Sequence, residues 1–173
     1  MNIKENGKEF LIVILASVIL ALTISFSAKD MLSARDMLPI AFLSILIVIG
    51  INVLTKKIIG YNLETKVVTK FWSLHYYGFR KDSHFKKPLP MLWLPLIISL
   101  LTKGILWWFP ILEFDVASKA ERVSRRHGLY RFTEVTEWHM GLIAVGGIIA
   151  NLVLAVIGYL AGFEFFAKLS IYY

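Results

Sequence analysis

Imidazoles and carboxylates gather in one stretch, "HGLYRFTEVTEWH", where His127, Glu134, Glu137 and His139 could together hold a metal ion. Zinc asks for three or four N or O donors, and a helix supplies two of them best from histidines four residues apart. None of His75, His84, His127 and His139 stands at that spacing from another. Glu134 and Glu137 also suit a plainer role, as acids at the start of a helix that Thr133 or Thr136 can cap. Nucleophilic chemistry finds less. Ser99 and Ser170 have no base at a readable spacing, and there is no glycine-rich phosphate loop. Two charges sit oddly among apolar residues, Glu64 in "GYNLETKVVTKFW" and Lys103 in "SLLTKGILWW", and intramembrane charges of that kind serve ion pathways.

The surroundings of these residues define the solvent. Of 173 residues, 57% are hydrophobic and only 18% charged, more apolar matter than a soluble domain of this size can bury. Runs at 10–26, 38–54 and 140–160 each approach the ~20 residues that cross ~30 Å of hydrocarbon. The first lacks the positive flank of a cleaved leader and reads as a span. A fourth run, 89–112, is interrupted by prolines and by Lys103. The chain reads as a multi-pass protein of the cell membrane. Its net charge of +7 fits cytoplasmic loops and anionic headgroups, making lipids partners and leaving no basic domain for nucleic acid. With no cysteine, thiolate metal sites and disulfides are excluded.

The expected architecture is all-α, one membrane domain over 1–173. Helices are expected at about 10–27 and 37–72. At 100° per residue, Ile59, Leu63, Val67 and Phe71 form one stripe, which carries the second helix past Gly60 into a cytoplasmic extension. Residues 91–101 form a short helix, and the aromatic, β-branched segment after Lys103-Gly104 suits a strand over 105–116. The whole is a re-entrant helix-turn-strand or, alternatively, a fourth span. Eight Lys or Arg in 55–90 and five in 113–138 place both regions on the cytoplasmic side if it is re-entrant. "SKAERVSRRHG" predicts a capped surface helix over 119–127, whose Arg122, Arg125 and Arg126 share a basic face. The last helix, 134–162, aligns Ala144, Gly147, Asn151 and Ala155 as a small-residue face for close approach by another helix.

Two stretches carry a likeness. In "VGGIIANLVLA", Gly147, Ala150, Asn151 and Ala155 match the Gly-Pro-x-Ala-Asn helix of the site-2 proteases, with Ile148 in place of the proline. In "YNLETKVVTKF", Leu63, Lys66, Val68, Thr69 and Lys70 match the surroundings of their His-Glu-x-x-His motif in compact archaeal members. The chain thus resembles that family of intramembrane zinc metalloproteases over about 38–163. The resemblance places Tyr61, Asn62 and Thr65 where the family has its two zinc-binding histidines and its glutamate, with Glu64 set apart from the glutamate's position. It also implies a later helix, with a third ligand, that this chain stops short of.

The resulting expectation is a pseudoenzyme without zinc that binds a partner transmembrane protein or lipid in a groove between the second helix and the small-residue helix. The alternatives are a metalloprotease using other ligands or a second chain, and a transporter or channel component using Glu64 and Lys103.

Overall fold

The protein is described by a computed structural model covering residues 3–26, 31–76, 84–119 and 135–173. The expected surface helix with Arg122, Arg125, Arg126 and His127, and also Glu134, lies outside the described residues. Among the described residues, three helices are long and apolar enough to cross a membrane. They belong to α1 (Ile3–Ser25), α2 (Met31–Asn62) and α4 (Glu137–Leu160), and the shorter α-helices among the described residues are α3 (Leu94–Leu101) and α5 (Glu164–Tyr172). The strands are β1 (Thr65–Phe71), β2 (Ser73–Tyr76), β3 (His84–Pro90) and β4 (Leu112–Ser118). β1 pairs with β4 and β2 with β3, so the all-α expectation is corrected to a helical protein with two small sheets.

By its contacts the chain divides into two compact units. The first comprises residues 1–45 and 70–113. Its core draws on Ala16, Leu20, Ala21 and Ile24 of α1, with Ala41, Ile45, Phe109 and Ile111. The hydroxyls buried in α1 are satisfied within the helix: Ser17 donates to the Val13 carbonyl, Thr23 to Ile19 and Ser25 to Ala21. That local bonding is what an apolar solvent requires of a polar side chain. Ser99 of α3 donates to the Thr23 carbonyl at 3.0 Å and ties the short helix to α1. Among the described residues no fourth helix reaches spanning length, since α3 has only eight residues. Lys103 and Gly104 turn the chain at φ +52 and +76. Strand begins only at Leu112 rather than at 105, because Pro110 has no N–H to pair. β2 and β3 run antiparallel, with Ser73 opposite Pro90 and an irregularity between Leu74 and Tyr76.

The second unit comprises residues 46–69 and 114–173. Here the expected extension of the second helix to 72 is overturned. α2 stops at Asn62, Leu63 and Glu64 turn the chain, and the backbone is extended from Thr65. Burial in β1 alternates, with Thr65, Val67 and Thr69 inside, which is the period of a strand. Gly60 makes the fold-back possible: a Cβ there would run into Val67 Cγ2 and stand 3.2 Å from Thr65 Oγ1. Thr65 Oγ1 then donates to the Gly60 carbonyl at 2.9 Å, capping the end of the helix.

Glu64 holds φ +54 at this turn. It is a hinge residue of the backbone and does not project into an apolar helical sector. A β-branched side chain tolerates that conformation poorly, so Glu64→Val should lose about 1–2 kcal/mol. Glu64→Asn, whose side chain suits left-handed backbone, should hold its stability. Thermal unfolding of both variants in one detergent reads the difference.

α4 ends at Leu160 rather than 162, because Gly162 at φ +80 lets the chain reverse into α5. Ala167, Leu169 and Ser170 bury one side of α5. Burial also pushes the phenol of Tyr173 above its ordinary range, which keeps it an un-ionised hydroxyl.

Candidate functional site

The expected motif positions are not brought together as a ligand set. Tyr61 and Asn62 are exposed at the end of α2, and Thr65 is buried in β1. A four-residue spacing means one helical turn only where the helix continues, and here it does not. Tyr61 instead carries the Lys119 ammonium over its ring, 4.1 Å from the centroid. Glu137 is exposed, and the Thr136 hydroxyl, at the cap position of α4, bonds the His139 ring rather than a backbone N–H. Among the described residues, no three of His, Asp and Glu form a potential metal-binding group.

The polar cluster lies about one and a half to two and a half turns before Tyr61 on α2. Asn52 and Lys56 stand four residues apart, and both reach α4 at Gly147. A Cβ built on Gly147 would meet Lys56 Cε at 2.6 Å and the Asn52 amide at 3.0 and 3.3 Å. A Cβ on Gly146 would collide with Ile59 Cδ1. The two glycines therefore allow the two helices to touch, as small residues do where apolar solvent gives helices no hydrophobic drive to associate. Asn52 Nδ2 donates to the Gly147 carbonyl at 3.0 Å, an interhelical bond of about 0.6 kcal/mol in such surroundings.

Along the small-residue line, Gly147, Asn151 and Ala155 are buried. Ala144, on the same line, is half-buried. On this face α2 of the same chain comes into contact at Gly146 and Gly147.

Two amide oxygens remain unfilled on these helices. Asn52 Oδ1 and Asn151 Oδ1 are buried without a donor. Asn52 is 5% exposed and Asn151 6%. The Lys56 ammonium, half-buried, lies over the Phe114 ring of β4, 4.8 Å from its centroid. An isolated buried acceptor costs roughly 1–3 kcal/mol, so two of them, the Asn52 one a helical turn from an intraspan ammonium, need a reason. Asn52 and Lys56 are the residues that sequence reasoning passed over. Their signal was present, two polar groups one turn apart at the end of an apolar run.

This placement gives a sharp test of which helical positions face one another. Asn52→His with Lys56→His puts two imidazoles on one face of a continuous helix and should create a two-ligand site that binds nickel or zinc. Tyr61→His with Thr65→His should bind neither, because one position is helical and the other in a strand. Metal titration of the two purified double variants compares them directly.

The chain is a helical protein with three helices long and apolar enough to cross a membrane. Comparison with models of known families, with curated proteins and with solved structures finds no match to it.

Proposed function

We propose that the chain is a multi-pass membrane protein with a site-2-protease-like arrangement that has exchanged metal chemistry for binding. The observation that carries this reading is the Asn52–Lys56 pair, one turn apart on α2 and turned to Gly147 of α4. A His-Glu-x-x-His helix would present its two histidines with that spacing. Here the donor set does not suit zinc. Lys56 brings a positive charge, and the Asn52 amide, already committed to the Gly147 carbonyl, is a weak ligand.

The same groups suit recognition. An ammonium offers donors and two amide oxygens offer acceptors, a pattern that would complement the polar side chains or a loosened backbone of a partner transmembrane segment where the helices part to admit it. The transport alternative loses support, since Glu64 and Lys103, the charges it would use, both stand on turns. The metalloprotease alternative would need its ligands from outside the described residues or from a second chain.

Zinc per chain, measured by elemental analysis after washing with a mild chelator, tests the reading. A value near zero is expected. About one zinc per chain would overturn it and make His127, Glu134, Glu137 and His139 the first residues to replace.

A further inference from the structure

α4 and α5 form a hairpin whose arms cross closely at Gly158. A Cβ on Gly158 would stand 2.7 Å from Phe166 Cδ1 and 3.3 Å from the Ala167 amide, so the two helices meet there backbone to ring. Beside that crossing lies a trough of about 690 Å³, running along α4 from Leu152 to Leu160. This volume is within the range of small-molecule sites. One face of each helix lines the trough, and Ala155 and Ala167, both buried, give it depth.

Two features select the occupant. The first is the solvent: only 22% of the most apolar stretch of α4 is buried, so the trough opens on a side that hydrocarbon would bathe. The second is charge. Glu164 and Lys168 are the charged residues of the trough, 3.7 Å apart on successive turns of α5 and well exposed. Opposite charges side by side complement a zwitterion. Lys168 can donate to a phosphate oxygen while Glu164 accepts from a primary ammonium. A headgroup with anionic charge alone would meet the Glu164 carboxylate, and a quaternary ammonium has no N–H for it.

We propose that this trough is a binding site for one glycerophospholipid with a phosphoethanolamine headgroup. Its acyl chain lies along Ala155 and Ala167 and its headgroup on the Glu164–Lys168 pair. The site is separate from the Asn52–Lys56 cluster and stands whether or not that cluster binds a partner.

The full chain is reconstituted in nanodiscs of equal parts phosphatidylethanolamine, phosphatidylcholine and phosphatidylglycerol with matched acyl chains. It is then released into mild detergent, and retained lipids are counted by native mass spectrometry. One phosphatidylethanolamine per chain is expected, favoured about tenfold over either competitor. Glu164→Gln and Lys168→Met should each erase the headgroup preference. Ala167→Phe and the milder Val156→Trp, which fill the trough, should abolish retention with helicity unchanged by circular dichroism. Ile157→Phe, on another side of α4, should leave it intact. Retention of no lipid, equal retention of the three headgroups, or retention that survives both filling variants would each overturn the proposal. So would a chain that emerges as a lipid-free dimer.

Discussion

Gly147→Val is expected to cost the protein about 3 kcal/mol, the upper end of what overpacking a tight contact costs. The reason lies in what the new atoms meet. Lys56 Cε would stand 2.6 Å from the added Cβ, and it can move because it ends a flexible chain. Asn52 cannot move so freely, since its amide is bonded to the carbonyl of the same glycine. Displacing it breaks that bond and leaves a second polar atom buried without a partner. Gly50, by comparison, has open space around its missing Cβ. Gly50→Val should therefore change stability far less, by the roughly 0.5 kcal/mol typical of an uncommitted position. Unfolding of both variants in the same mild detergent provides the measurement, and equal losses would sink the idea of an obligatory close approach at Gly147.

Lys56→Met should stabilise the folded chain while weakening whatever it binds. An ammonium in the middle of a span costs about 2.5–3.5 kcal/mol on insertion scales. Lys56 recovers part of this from the Phe114 ring, about 1–2 kcal/mol for a cation over a desolvated aromatic face. Its position, six residues from the end of α2, lets the side chain reach toward the interface and softens the cost further. A net gain of about 1 kcal/mol on removing the charge is what these magnitudes leave. Lys56→Glu should instead lose about 3 kcal/mol, because a half-buried carboxylate would replace the ammonium and forfeit the ring. If Lys56→Met destabilised the chain as much as Lys56→Glu, the lysine would be a structural member and not a group held at a cost for binding.

The spanning helices were legible from composition and run length because a low-dielectric solvent leaves a chain few other options. The small-residue face was legible too. Gly147, Asn151 and Ala155 recur every four residues, and that spacing survives into the packed structure. The stretch after Gly60 was misread for a definable reason. Leu63, Val67 and Phe71 are four apart, and positions four apart also fall on one side of a strand, so the same residues satisfy both periods. The β-branched Thr65, Val67, Val68 and Thr69 favoured the strand and should have decided the matter. The partner that makes the strand possible, β4, lies too far along the chain for any local window to reveal. The polar cluster was missed because attention went to Tyr61 and Thr65, which straddle the end of the helix. Asn52 interrupts an apolar run, and an amide there was the cue.

The pairing of β1 with β4 also sets a timetable. About forty residues of chain separate the two strands, so β1 leaves the ribosome well before its partner exists. At about 5–20 residues per second, it waits for seconds with its edges open. Lys66 and Lys70 point outward from the buried Thr65, Val67 and Thr69. Charges so placed discourage an open strand from joining another chain. Their importance would then fall on the newborn polypeptide more than on the finished one, and replacing both with threonine should lower the yield of protein before it alters the fold of what survives.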